Sequence, residues 1–181
     1  MKPIYFIVFV ILAVVQIGTP LKMIFDKEDI LISGTAYKFK TMPIDPTDPF
    51  RGKYIRLQFE MDSFATSDTT YVYGDKVRVY IENDDEGFAK VAGVSKESLD
   101  IGGDYVMAKV TNTYNNKIMF ELPFDRFYME ETKAYDAEKA YRDMNRNNKK
   151  DDVYALVYIK DGASVLKDVI IEGIPIQEYV E

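Results

Sequence analysis

The pattern of apolar positions divides the chain into one long apolar run and many short alternating segments. The run extends from Ile4 to Leu21 between Lys2 and Lys22, and Gln16 is its main polar interruption. A helix of this length reaches roughly 27 Å, close to the thickness of a bilayer's hydrocarbon core. Because a core helix of a globular protein would carry a polar face, the run predicts a membrane-spanning helix.

A cleaved signal peptide is the alternative interpretation of this run. The apolar region is long for a signal peptide, and Val15-Gln16-Ile17 lacks the small residues of a cleavage site. Lys2 on the short side of the run favours a cytoplasmic N-terminus. We therefore predict an uncleaved single-pass anchor over residues 1–22, which contacts lipid through residues 4–21 in the cytoplasmic (inner) membrane. Residues 23–181 are then expected to form an extracytoplasmic domain.

The rest of the chain alternates apolar and polar residues over short segments, as half-buried β-strands do. In the clearest segment, residues 54–61, the apolar side chains of Ile55, Leu57, Phe59 and Met61 fall on one face. The fold class is thus predicted to be mainly β (α+β), with about eight to ten short strands in one domain, or in two that divide near position 100. Residues 30–33 and 37–42 are expected to form two short strands or one bent strand. Further strands are expected over residues 71–73, 76–82, 88–94, 105–111, 118–122, 126–129 and 164–173.

Three other segments complete this prediction. Residues 63–70 are polar and turn-like, and residues 174–181 are expected to form an edge strand or a loose end because they contain Pro175. Residues 153–160 are almost wholly apolar, which is typical of a central strand buried on both faces.

One helix is predicted among these strands, from about Glu131 to Asn145. Acidic residues at its start and basic residues at its end complement the helix dipole. Its apolar side chains recur at three- and four-residue spacing, so we expect the helix to pack against a sheet by one narrow stripe. The stripe consists of Ala134, Ala137, Ala140, Tyr141 and Met144.

Charge and composition argue against several classes of function. The net charge of −7 repels phosphate backbones, and with no basic stripe present we predict no nucleic-acid partner. The chain has no Cys and no His, the residues that most often serve as nucleophile, general base or zinc ligand. The acidic loop 83–87 lacks the residue spacing of a calcium-binding loop. We therefore assign no catalytic residue, no cofactor and no metal site.

The segment over residues 43–60 joins a proline-rich turn to the clearest strand. A proline follows both Asp45 and Asp48, which holds each aspartate in an extended conformation while its carboxylate bonds to nearby backbone. Gly52 then permits a bend into the strand. We expect a stiff polar corner that leads into a core strand.

This segment resembles the bacterial GDYXXLXY-domain family, whose members are membrane-anchored proteins of uncharacterised function. Lys53 stands where the family motif has Asp, and Phe59 where it has its last Tyr. Weaker likenesses are the Leu31 to Gly34 lead-in and an aromatic segment that ends in Glu130. The resemblance covers most of the chain and implies membrane anchoring and a polytopic membrane-protein neighbour, but no activity. The matching motif positions are Asp45, Pro46, Asp48, Phe50, Arg51, Gly52, Tyr54 and Leu57.

Two functions fit these observations, and the favoured one is a non-catalytic module that binds or supports another envelope or membrane protein. Arg51 would pair with Asp45, Asp48 or Glu130, since guanidinium and carboxylate groups form strong two-bonded pairs. Such a pair would either lock the turn onto the sheet or present a contact surface.

The alternative is a hydrolase of envelope glycan that uses carboxylates alone. Two of Asp45, Asp48 and Glu130 would then flank a cleft at a separation of about 5 to 10 Å. A Ser-Lys protease with Lys53 as its base is a further variant, although no serine stands in a recognisable nucleophile context.

Overall fold

The computed structural model describes residues 3–42, 54–146 and 153–180, in which a long N-terminal helix precedes a β-rich region. This confirms the predicted fold class. The helices are α1 (Pro3–Ser33), α2 (Glu131–Arg146) and α3 (Ile176–Tyr179). Twelve strands are present in the described residues, namely β1 (Thr35–Met42), β2 (Tyr54–Arg56), β3 (Gln58–Phe59), β4 (Ser63–Ala65), β5 (Lys76–Asn83), β6 (Ala89–Ser95), β7 (Asp104–Tyr114), β8 (Lys117–Glu121), β9 (Arg126–Tyr128), β10 (Val153–Lys160), β11 (Ala163–Ile171) and β12 (Ile174–Pro175).

The strands form two five-stranded sheets and one two-stranded pair. The first sheet has the order β12-β11-β10-β1-β3, the second has the order β4-β8-β7-β5-β6, and β2 pairs with β9. All of these pairings are antiparallel. Because hairpins link β5 to β6, β7 to β8 and β10 to β11, most of the sheet order follows from short connections.

A single hydrophobic core joins these sheets. Val79 and Val110 of the second sheet and Val157 of the first are fully buried in the same cluster. The rings of Phe39, Phe59 and Phe124 also meet there edge to face, with centroids 4.9 to 5.8 Å apart. Such edge-to-face contacts stabilise aromatic clusters beyond the area that they bury.

Helix α1 is longer than the predicted anchor, and the strand expected over residues 30–33 is wrong. The helix continues through these residues and ends at Ser33, and the N–H of Gly34 donates to the carbonyl of Ile30 at 2.9 Å. Ile30 is buried against the domain while Ile32 is exposed. An apolar run of this length has too few residues to distinguish a helical period from a strand period.

The strand predicted over residues 54–61 is divided between two pairings. Residues 54–56 form β2 beside β9, and residues 58–59 form β3 beside β1. Between them, the N–H of Leu57 donates to the carbonyl of Asp125 at 2.7 Å. The apolar side chains predicted to face inward are all buried, which confirms the alternation. Alternation indicates which face of a strand is buried, but it does not indicate the neighbouring strand with which that strand pairs.

Three smaller predictions are also wrong. Residues 71–73 form a turn region, where the N–H of Val72 donates to a carboxylate oxygen of Asp75 at 2.9 Å. The segment predicted as a polar turn contains β4, which pairs with β8. Strand β10 is the central strand of its sheet, as predicted, but only one of its faces is fully buried. The other face is half-buried because it carries polar atoms at Tyr154, Tyr158 and Lys160.

Helix α2 confirms the predicted helix and most of its packing stripe, although the side chain of Ala134 lies outside the described residues. Ala137, Tyr141 and Met144 are buried, and the helix packs against β2 and β10. The hydroxyl of Tyr141 donates to the carbonyl of Met42 at 3.1 Å. The helix therefore lies beside the end of β1.

Candidate functional site

Only part of the predicted motif lies in the described residues. Tyr54, Leu57 and Glu130 are described. The other predicted site residues, together with Lys53, lie outside the described residues, so the expected pairing of Arg51 stays a prediction. These residues are Asp45, Pro46, Asp48, Phe50, Arg51 and Gly52.

The three described motif residues occupy different environments. Leu57 is 3% exposed and belongs to the core, so its place in the motif is explained by packing. Tyr54 is half-buried on β2. Glu130 is exposed just before α2, where its carbonyl accepts a hydrogen bond from the N–H of Lys133 at 3.1 Å. Of the three, only Tyr54 and Glu130 can contact another molecule.

The β2–β9 pair presents two tyrosines and two arginines on its outer side. Tyr54 pairs with Tyr128 and Arg56 with Arg126, while the residues between them, Ile55 among them, are buried. The two tyrosine rings lie with centroids 5.5 Å apart, and the Arg126 guanidinium lies 5.2 Å from the centre of the Tyr54 ring. We call these four residues the Tyr/Arg face.

Carboxylates lie beside the arginines of this face. Asp125 lies 3.7 Å from the Nε of Arg56 and 3.8 Å from the Nε of Arg126, and Glu121 lies 3.8 Å from the Nη2 of Arg56. A hydrogen bond with Tyr128, with the nearby charge of Asp125 next in importance, raises the pKa of Arg126 above its ordinary value. The ion pairs are longer than hydrogen bonds and involve exposed arginines, so they are weak contacts.

An open groove of about 480 Å³ begins beside the Tyr/Arg face. It runs between the β2–β3 segment and β8, and its volume falls within the range of about 300 to 1,000 Å³ found for ligand pockets. The polar side chains that line it are Arg56, Gln58, Asp62, Thr111, Glu121 and Asp125. In the described residues, no three His, Cys, Asp or Glu side chains gather as metal ligands would.

A second cluster joins α1 to the first sheet. The Nζ of Lys160 donates to Oδ2 of Asp29 at 2.6 Å and to Oγ of Ser33 at 2.8 Å. The Nζ of Lys27 donates to the carbonyl of Ser164 at 3.0 Å. We call these residues the helix clamp, because they hold the last turns of α1 against the β10–β11 hairpin. Sequence reasoning missed the clamp, since its partners lie more than a hundred residues apart.

Among the described residues, α1 alone is long and apolar enough to cross a bilayer. Its most apolar stretch has no side chain buried within the chain itself. Length and composition alone fit either a single membrane span or a signal sequence.

The protein is thus an apolar N-terminal helix followed directly by a β-rich domain, in which the motif residues Tyr54 and Leu57 lie where the chain passes from β2 to β3. It belongs to the GDYXXLXY protein family, whose model matches residues 16–169, which confirms the resemblance drawn from the motif. No curated protein and no solved structure matches the chain.

Proposed function

We propose that this protein is a non-catalytic contact module, anchored in the cytoplasmic membrane by an uncleaved α1, with its β-rich domain on the extracytoplasmic side. The observation that carries the proposal is the uncovered apolar helix, which continues without a break into the base of the domain. An anchor of this kind keeps the domain beside other proteins of the same membrane.

The helix clamp would give an uncleaved anchor a fixed connection to the domain. Lys27, Asp29 and Ser33 of α1 all bond to the β10–β11 hairpin or its ends. These bonds make the end of α1 part of the domain, and the same helix leads from there into the apolar stretch. The lack of small residues at Val15-Gln16-Ile17 is the feature that argues against cleavage of that stretch. The single charge of Lys2 on the short side supports a cytoplasmic N-terminus.

The Tyr/Arg face is the surface that we propose for partner contact. Tyrosine and arginine are enriched among the residues that dominate binding energy in protein interfaces. Tyr128 is 62% exposed. The face also includes the motif residue Tyr54, which lies opposite Tyr128 in the β2–β9 pair. Each guanidinium group is exposed and has more N–H donors than its loose contacts with Asp125 and Glu121 can use, so both favour a partner surface with carboxylates or carbonyl oxygens.

A fixed orientation suits this role. Between Lys22 and Ser33 the helix rises roughly 17 Å beyond the predicted span. Because the clamp prevents the domain from swinging freely on this helix, the Tyr/Arg face keeps one direction relative to the membrane. A polytopic membrane protein with an extracytoplasmic loop is the partner class that we propose.

Site-specific photocrosslinking in living cells tests this proposal. A photoreactive amino acid at Tyr128 should capture the same polytopic membrane protein in repeated experiments, identified by mass spectrometry. Tyr114, which is 70% exposed at the β7–β8 turn, is the matched control position and should not capture it. Arg126→Ala should reduce the capture at Tyr128. The proposal would be contradicted if both positions capture the same proteins, or if no protein is captured at Tyr128 in repeated experiments.

No described residue favours the carboxylate-only hydrolase, which stays a prediction. Glu130 is exposed, and Asp45 and Asp48 lie outside the described residues. Incubation of the full chain with peptidoglycan, alongside Asp45→Asn and Asp48→Asn, tests it. Release of glycan by the unsubstituted chain alone would favour the hydrolase over the contact module.

A further inference from the structure

Gln16 is an amide in an apolar helix that the domain does not cover. Its side chain is exposed, as are those of most of its neighbours on the helix. Within the described parts of the chain, this amide has no hydrogen-bond partner. If α1 spans a membrane, these neighbours face lipid, and lipid offers the amide no hydrogen bond.

Gln16 lies deep in the proposed membrane span, where an amide without a hydrogen-bond partner is costly. The helix rises roughly 18 Å from Ile4 to Gln16 and roughly 9 Å from Gln16 to Lys22. Helical side chains lean toward the N-terminus of their helix, so the amide of Gln16 leans away from Lys22 and toward the middle of the bilayer. An unpaired amide in hydrocarbon costs free energy, and a second helix can remove that cost.

We propose that α1 pairs in the bilayer with α1 of a second copy of this chain, with Gln16 at the crossing point. The inference rests on the proposed anchor. An amide side chain both donates and accepts hydrogen bonds, so two copies of Gln16 related by a twofold axis satisfy each other. A helix of a different protein would need its own polar group at the same depth, whereas a second copy supplies one by symmetry.

The residues around Gln16 suit a helix pair. Phe9, Leu12, Thr19 and Met23 share its face, at the alternating three- and four-residue spacing of a helix–helix seam. A single polar residue in such a seam fixes the register of the two helices. The hydroxyl of Thr19 donates to the carbonyl of Val15 at 2.9 Å, so this small side chain permits close approach without a partner of its own.

The domain leaves this seam accessible. The clamp bonds begin at Lys27, whereas Met23 and Phe25 are 63% and 68% exposed. A second helix can therefore lie along the apolar part of α1 without displacing any contact to the sheet.

Energy transfer between labelled copies of the full chain tests the pairing. Since the chain has no Cys, Ser67→Cys in the exposed loop after β4 provides a single labelling site. In vesicles of phosphatidylcholine and phosphatidylglycerol, transfer should rise with the ratio of protein to lipid. Gln16→Leu should weaken association by about threefold to tenfold, because interhelical polar contacts contribute on that scale. Gln16→Asn should retain most of it, since it keeps an amide.

Disulfide formation between single-cysteine variants locates the seam. Leu12→Cys and Thr19→Cys should form dimers under oxidation, and Val14→Cys, on the opposite side of α1, should not. The pairing would be overturned, and the anchor would not, if the intact chain stays monomeric in vesicles or if Gln16→Leu leaves the association unchanged. Gln16-dependent cross-links in cells to a different protein would also overturn the pairing. Loss of residues 4–21 from the mass of the chain isolated from cells would overturn the anchor as well.

Discussion

The Nζ of Lys160, at the end of β10, lies 2.6 Å from Oδ2 of Asp29 in α1, although 131 residues separate them along the chain. The same ammonium donates to Oγ of Ser33 at 2.8 Å. One lysine thus bonds two successive turns of the helix and ties the proposed anchor to the first sheet. The domain and the end of α1 are therefore expected to move as one unit.

Lys160→Met removes these bonds and keeps most of the aliphatic stem. We expect faster amide hydrogen exchange over residues 27–34, because the last turns of the helix can then open locally. The free energy of global unfolding should change little, because exposed ion pairs add little to stability. Exchange measured by mass spectrometry on the full chain in micelles checks this. Lys167→Met on β11 is the matched control and should leave residues 27–34 unchanged. Equal exchange in all three proteins would show that the clamp does not hold the helix.

Gly34→Ala should destabilise the domain by about 1 to 3 kcal/mol, the usual cost of overpacking. A Cβ at Gly34 would lie 2.5 Å from the carbonyl oxygen of Ile30 and 2.9 Å from that of Ile159, and backbone atoms cannot easily move away. Urea unfolding measures the difference. At Gly93 the nearest atom to a Cβ is the end of the Ile101 side chain at 3.2 Å, so Gly93→Ala should cost much less. Equal costs would contradict this account of the helix end.

Phe39→Ala should lower the free energy of unfolding by about 3 to 5 kcal/mol. Phe39 is 0% exposed, and its ring packs against Phe59 and Phe124 from two other segments. Phe39→Leu should lose less because it leaves a smaller cavity. Tyr114→Ala, at an exposed position, should change stability little in the same urea titration. A small effect of Phe39→Ala would mean that this aromatic cluster is not the centre of the core.

Tyr37 should make the fold sensitive to high pH. Its hydroxyl donates to Oδ2 of Asp104 at 3.1 Å, and burial, followed by the charge of Asp104, raises the pKa of Tyr37 to about 12. The folded state therefore favours the neutral phenol, while the unfolded chain releases this proton near pH 10. The resulting stabilisation is complete below pH 10 and is lost as the pH rises from 10 to about 12.

Urea unfolding between pH 9 and pH 12, measured as a function of pH, checks this expectation. The unsubstituted chain should lose stability more steeply than Tyr37→Phe across that range. Tyr73→Phe, at an exposed tyrosine, should follow the unsubstituted chain. Parallel curves for all three would show that Tyr37 ionises equally in the folded and unfolded states.

Hydrophobic periodicity predicted which side chains are buried better than which strands pair. Ile55, Leu57 and Phe59 face inward as their alternation indicates. The change of partner at Leu57, from β9 to β1, depends on a hydrogen bond to Asp125 that no local pattern contains. The same limit applies to the Tyr/Arg face, since nothing in the sequence sets Tyr54 opposite Tyr128.

The end of α1 illustrates a second limit. Residues 30–33 look like a strand by composition, but they follow a helix that has already formed and that gains one backbone hydrogen bond with each added residue. Contacts from Lys160 then hold the last turn in place. The motif was sufficient to predict the family, because a short set of prolines, aspartates and glycine is specific. The pairing expected for Arg51 stays a prediction, because Arg51, Asp45 and Asp48 lie outside the described residues.

Accessibility of single cysteines to a membrane-impermeant maleimide tests the central claim most directly. Because the chain has no Cys, Ser67→Cys and Pro3→Cys each provide one target, and the second keeps Lys2. The account predicts that Ser67→Cys is labelled in intact spheroplasts, that Pro3→Cys is labelled only after permeabilisation, and that both remain in the membrane fraction at full mass. Labelling in the reverse order, or a shortened chain in the soluble fraction, would contradict it.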